Sequence, residues 1–132
     1  LPTRDCMLPI IAQLFAAKQA GKPLSALCAD LPACFTAADR LQEIDRDKAG
    51  RFLNWLIEES AARAAFFAPF GAISGVDLTD GLRVDFESGD VVHLRPSGNA
   101  PEFRIYAQSG LQAQAQKVMA QAKEAVAAQL AR

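Results

Sequence analysis

Several things that would quickly place a protein are scarce in this sequence. There are three cysteines, Cys6, Cys28 and Cys34, an odd number without CxxC spacing. That pattern excludes a disulfide framework and a zinc site of ordinary spacing, and it fits a reducing, cytoplasmic setting. Surplus charge is also missing: 14 basic and 15 acidic side chains leave a net charge of −1. A general nucleic-acid binder carries a basic excess, so no nucleic-acid partner is expected. Long apolar runs are absent as well. One of the longer ones, Cys6 to Ala12, is seven residues and contains Pro9, and none approaches the roughly 20 that a membrane helix needs. No membrane partner is therefore expected. Residue 1 is Leu1 rather than methionine, and no basic-then-apolar leader follows it, so the expectation is a chain cut from a longer one.

What is present is a globular composition. Of 132 residues, 51% are hydrophobic and 22% charged, enough to bury about two thirds of the unfolded surface in one domain. Three zones differ in character. Residues 1–33 are apolar and helical: Met7, Leu8, Ile10, Ile11, Leu14 and Phe15 spread over more than half of a helix's circumference, wider than one exposed face allows. Gly21 stops this helix, and Pro23 opens a shorter one carrying Leu24, Leu27, Cys28 and Leu31. A helix this apolar ordinarily lies against a sheet, and no strand precedes it. The expectation for residues 5–20 is fraying, repacking on the later helix, or burial in a dimer.

The second zone reads as an extended piece at Phe35, a turn over Thr36–Arg40, and one helix from about Asp47 to Ala65 with Phe52, Leu53, Leu56 and Ile57 inward. The third zone is the most regular. Ile73–Leu78, Leu82–Glu87, Val91–Arg95 and Glu102–Ala107 read as four strands joined by tight turns at Thr79-Asp80-Gly81 and Ser88-Gly89-Asp90. Leu82, Val84 and Phe86 alternate with Arg83, Asp85 and Glu87, one face buried and one wet. A closing helix from about Gly110 to Ala131 stripes Leu111, Ala115, Val118, Met119, Ala122, Val126 and Leu130. The predicted class is α+β, a four-stranded antiparallel sheet with helices on one face.

Chemistry concentrates between the third and fourth of these strands, at Arg95-Pro96-Ser97-Gly98-Asn99-Ala100-Pro101. Two prolines stiffen the connection, while Gly98 and Asn99 are the residue types that most easily turn left-handed. Successive amides in such a turn can form an anion-binding nest. Ser97 and Asn99 add neutral donors, Arg95 a bidentate charged one, and Arg104 shares the outer face of the returning strand. Charge, several donors and a rigid frame are what a phosphate monoester needs. The carboxylate pairs Asp85/Glu87 and Glu58/Glu59 read as solvated faces, and His93, the only imidazole, as a polar strand residue.

These residues resemble a family. Thr79-Asp80-Gly81-Leu82-Arg83, Gly89-Asp90-Val91-Val92 and the run from Arg95 to Tyr106 look like the C-terminal domain of the α-D-phosphohexomutases, nearest the bacterial phosphomannomutase/phosphoglucomutase group. Leu31–Leu41 looks like the entry segment of that domain, and Thr3-Arg4-Asp5 with Gly21–Ser25 like the closing helices of the domain before it. The resemblance implies a division into residues 1–33, the end of the third domain, and 34–132, a fourth domain like the TATA-box-binding protein. It implies an enzyme that exchanges a phosphoryl group between the 6- and 1-hydroxyls of a hexose through a bisphosphorylated sugar. In that scheme Arg95, Ser97, Gly98 and Asn99 hold the phosphate that is not reacting, and Arg104 matches a further phosphate-contacting arginine. The usual family loop has Thr and Glu where this chain has Asn99 and Ala100. The phosphorylated serine and the Mg2+ loop belong to other domains, so the resemblance implies no catalytic residue and no metal here, and no activity of the fragment alone. Its implied partners are a mannose or glucose phosphate and the parent's other domains. The competing reading is a non-enzymatic interaction module, binding protein or nucleic acid on the outer face through Arg83, Asp85, His93, Arg95, Arg104 and Tyr106.

Overall fold

A computed structural model describes residues 6–131. Thr3, Arg4 and Asp5, part of the resemblance above, lie outside the described residues. The chain divides into two compact units, residues 1–33 and 34–132.

In the first unit, helix α1 (Met7–Ala20) runs unbroken, and α2 (Leu24–Ala29) follows Pro23. Gly21, at φ +61°, ends α1 in the left-handed conformation and donates its N–H back to Ala17 and Lys18. α1 is continuous rather than frayed, and Leu8, Ile10, Ile11, Leu14 and Phe15 are each 52–58% exposed.

The second unit is a five-stranded antiparallel sheet, one strand more than the sequence predicts. The extra strand is β1 (Phe35–Gln42), which replaces the predicted turn at Thr36–Arg40. Its central residues, Ala37-Ala38-Asp39, carry little strand propensity of their own. What makes them a strand is pairing along their whole length with β5 (Glu102–Ser109), from Phe35 opposite Ser109 to Gln42 opposite Glu102. Between them in sequence lie β2 (Ile73–Asp77), β3 (Leu82–Phe86) and β4 (Val91–Pro96), giving the spatial order β1-β5-β4-β3-β2. The first strand of the unit thus sits beside the last, which brings distant residues onto one surface.

Helices cover the inner face. α3 (Arg46–Glu58) begins at Asp45, whose carboxylate accepts the Lys48 N–H at 2.8 Å. The predicted single helix over 47–65 is broken at Glu59, which is extended, and α4 (Ser60–Phe67) starts anew. No Gly or Pro marks the break. Arg63 Nη1 stabilises it by donating to the carbonyls of Leu56 (3.0 Å) and Ile57 (2.8 Å), which the end of α3 leaves open. The turn that follows sets Phe67 fully into the core, edge-on to Phe66 at 4.9 Å. α5 (Gln112–Leu130) buries Ala115, Val118, Ala122, Val126 and Leu130 as the stripe predicts, while Leu111 precedes the helix and stays exposed.

The core joins Phe52, Leu53, Leu56 and Phe67 to Leu82, Val84, Phe86, Val92, Leu94, Phe103 and Ile105. Arg83, Asp85, His93, Arg95, Arg104 and Tyr106 alternate with those residues and face outward. Asp39, on the inner side of edge strand β1, is paired with Lys123 of α5 at 2.5 Å. An inward charge of this kind discourages edge-to-edge association. The Lys123 hydrogen bond, helped by the Arg40 amide, holds the Asp39 carboxyl below the usual aspartate range. Trp55 is 43% exposed and leans on Phe52, ring centroids 6.3 Å apart. The three cysteines are free and exposed. No helix among the described residues is long and apolar enough to cross a membrane.

Candidate functional site

Residues 97–101 join β4 to β5, and the loop is tied at both ends. The Ser97 N–H donates to Glu102 O at 2.9 Å, the Glu102 N–H to Ala100 O at 2.8 Å, and the Ile44 N–H to Pro101 O at 3.0 Å. The last bond pins the loop to the segment between β1 and α3. Ser97 is buried, only 8% exposed. Its Oγ accepts the N–H groups of Asn99 (3.4 Å) and Ala100 (3.3 Å), a serine-centred turn that still leaves the hydroxyl proton to donate.

This closure differs from the predicted nest. Neither Gly98 nor Asn99 has a positive φ, so the alternation of handedness that aims successive amides at an anion is not formed here. Ser97 replaces it: by accepting the two amides, its hydroxyl lets the loop close with ordinary backbone angles. Gly98 is exposed, and a Cβ added there would touch nothing within 4 Å. The left-handed glycine of the site is Gly81, at φ +89°, where a Cβ would stand 2.5 Å from the Leu94 carbonyl oxygen and 3.4 Å from Arg95. The Thr79-Asp80-Gly81 turn therefore lies directly against β4.

That contact positions Arg95. Its Nη1 donates to Asp80 Oδ2 at 2.6 Å, and the Asp80 carbonyl meets His93 Nε2 at 2.5 Å. The turn itself is braced by Asp77, whose carboxylate accepts the Thr79 N–H at 2.8 Å; the Thr79 hydrogen bonds hold the Asp77 carboxyl below the usual range. His93 stacks on Tyr106 with centroids 5.5 Å apart. On the far side of the same hairpin, burial pushes the Asp90 carboxyl up, but hydrogen bonds from Gln114, Ser109 and Ser88 outweigh it and hold it down.

The strand register supplies the rest. Arg95 in β4 stands directly opposite Arg104 in β5, and Arg104 in turn opposite Arg40 in β1. Glu102 lies between the last two, Oε1 3.5 Å from Arg40 Nε and Oε2 3.6 Å from Arg104 Nη2. An open groove of about 430 Å3 is lined by Ala38, Asp39, Arg40, Arg104 and Tyr106. Beside it a second, of about 300 Å3, reaches past His93 and Tyr106 to Arg83 and Gln108. Arg95 and Arg104 are thus register partners beside the loop that carries Ser97, Gly98 and Asn99, and of these five residues only Arg104 lines the larger groove. Sequence reasoning missed Asp80, Glu102 and Arg40. Asp80 reads as a turn residue, and Arg40 joins the face only once Thr36–Arg40 is a strand. No group of three or more histidine, cysteine or carboxylate side chains suited to a metal occurs among the described residues.

Comparison with known proteins agrees with this architecture. Residues 39–125 match the family described as phosphoglucomutase/phosphomannomutase, C-terminal domain. The chain is 39% identical to a phosphomannomutase of Sinorhizobium fredii over 121 residues, 92% of this chain and 26% of that protein. It is also 39% identical to a phosphomannomutase of Salmonella muenchen over 114 residues, 85% of this chain and 23% of that one. It spans about a quarter of the length of these curated relatives. With its five-stranded sheet, its helices on one face and this match over most of the second unit, the chain belongs to the phosphoglucomutase/phosphomannomutase family, as a C-terminal domain of it.

Proposed function

We propose that this chain is the part of a phosphomannomutase/phosphoglucomutase that grips the non-reacting phosphate of a hexose phosphate. The parent would interconvert hexose 6-phosphate and hexose 1-phosphate through a bisphosphorylated sugar, in the cytoplasm, with the phosphorylated serine and Mg2+ held in domains outside this sequence. The fragment alone would be inactive. In that parent the apolar face of α1 packs within the preceding domain; in the isolated fragment, residues 5–20 are the surface for a dimer.

The observation that carries the reading is the pairing of Arg95 with Arg104 across β4 and β5, at the mouth of a loop whose Ser97 is buried and tied down. Two guanidinium groups side by side repel each other, and a phosphate dianion between them converts that repulsion into attraction. Each can offer a forked, charge-assisted pair of donors. Ser97 has a hydroxyl proton free to donate, and its long bonds from Asn99 and Ala100 are weak ones that a phosphate oxygen can replace. Gly98 leaves open space through which the anion reaches the backbone. Asn99 keeps a side-chain donor at the family's threonine position.

Chemically, the loop performs no bond making. It holds one end of the substrate so that the other end meets the reactive groups, turning remote binding energy into orientation. The outer face as a protein or nucleic-acid surface is the weaker reading, since Asp80, Asp85 and Glu102 are interleaved with its arginines. Calorimetric titration of mannose 1-phosphate tests the proposal. Arg95→Ala and Arg104→Ala should each weaken binding by about 1.5 kcal/mol, the low end of the cost of losing hydrogen bonds to a charged group. Affinity unchanged in both variants would refute it.

A further inference from the structure

The three-arginine ladder holds one member that the phosphate grip as proposed does not use. Arg40, Arg104 and Arg95 are register partners on three adjacent strands, spaced about 5 Å per strand. Like charges directly opposite each other cost stability, so such a ladder needs negative charge beside it. Arg95 has it, in the 2.6 Å bond to Asp80. Arg40 and Arg104 share the single carboxylate of Glu102 at 3.5 and 3.6 Å, beyond good hydrogen-bond length. Among the described residues neither guanidinium donates a hydrogen bond. Their uncommitted donors line the groove of about 430 Å3, where the small side chain of Ala38 leaves the space open.

We infer that Arg40 is a further phosphate-binding residue. With Arg104 it forms the β1 side of the anion seat, and Glu102 holds the two guanidinium groups in place until the phosphate arrives. The inference rests on the phosphate reading above and adds to it a residue from the far edge strand, some 55 residues away in sequence from Arg95. A phosphate monoester suits the seat because it carries close to two negative charges and three strong acceptor oxygens. Those oxygens can meet both forks at once, whereas Glu102 meets each only loosely.

The test is made on the 132-residue chain. Arginine Nε–Hε resonances are followed by NMR during titration with inorganic phosphate and, separately, with mannose 1-phosphate. The Arg40 resonance should shift with both probes. A shift with the sugar ester alone would assign the groove to sugar hydroxyls and overturn the phosphate assignment, as would no shift at saturation. Arg40→Ala should weaken mannose 1-phosphate binding about tenfold, and Arg40→Lys should recover part of it as a point charge without the fork. Glu102→Gln removes the carboxylate that the phosphate must displace and should tighten binding about threefold; unchanged or weaker binding there overturns the reading of Glu102 as a stand-in for the phosphate. Weakening by Arg95→Ala with none by Arg40→Ala would overturn the Arg40 assignment and leave the loop reading standing. Unchanged affinity in Arg95→Ala, Arg104→Ala and Arg40→Ala together would overturn both.

Discussion

Two glycines beside the site should respond to alanine in opposite ways. Gly81 sits at φ +89°, where an L side chain is strained, and its added Cβ would lie 2.5 Å from the Leu94 carbonyl oxygen. The left-handed backbone alone costs about 1–2 kcal/mol. The collision is with β4 backbone rather than a flexible side-chain tip, so the β3–β4 hairpin must shift, adding about 1–2 kcal/mol more. Gly81→Ala should therefore destabilise the protein by about 2–4 kcal/mol, a large part of a domain's ordinary 5–15. With a urea slope of about 2 kcal/mol/M, the unfolding midpoint falls by about 1–2 M. Gly98 has neither handicap: its φ is ordinary and a Cβ there meets open space. Gly98→Ala should leave the stability within about 0.5 kcal/mol of the parent while weakening phosphate binding, because the Cβ occupies the path of the anion. Urea unfolding of both variants, followed by titration of the folded ones with mannose 1-phosphate, checks the contrast. A Gly81→Ala midpoint equal to that of the parent, or a Gly98→Ala midpoint as low as the one expected for Gly81→Ala, would refute the reasoning.

The fold offers further tests. Asp39 is held below the ordinary aspartate value of 3.8, chiefly by the Lys123 hydrogen bond. A depressed carboxyl contributes stability above its unfolded pKa and loses it as pH falls through the folded one. Asp39→Asn should cost about 0.5–1 kcal/mol at pH 7, given the partial exposure of the pair, and nothing once the pH lies below the folded pKa; urea midpoints at the two pH values measure this. Arg63→Ala opens the Leu56 and Ile57 carbonyls at the end of α3 and should cost about 1–3 kcal/mol, measured by the same unfolding curves.

The parts of the structure that were legible are those where local pattern and tertiary environment agree. Leu82, Val84 and Phe86 alternate cleanly, and Gly21 stops a helix with the residue type that a left-handed cap favours. β1 was not legible, because after Thr36 the run Ala37-Ala38-Asp39-Arg40 carries neither apolar alternation nor strand propensity, and the waiting edge of β5 makes it a strand. The break at Glu59 depends on Arg63 reaching back six and seven residues, which no breaker residue announces. At the site, composition pointed to Arg95, Ser97 and Arg104 but misread the means of closure. Gly98 and Asn99 suggested a left-handed nest, whereas Ser97 Oγ closes the turn without one and Gly81 carries the strained backbone. Arg40 became visible with the fifth strand, since it reaches the face through register and not through sequence proximity.

The central claim is that the loop between β4 and β5 holds a phosphate. Amide NMR of the chain during titration with mannose 1-phosphate tests it most directly. A single domain's share of the contacts predicts a dissociation constant on the order of 1–10 mM. The shifts should concentrate at Ser97, Gly98 and Asn99, while amides of α4 stay still. Saturating sugar phosphate that leaves those three amides unmoved would contradict the claim.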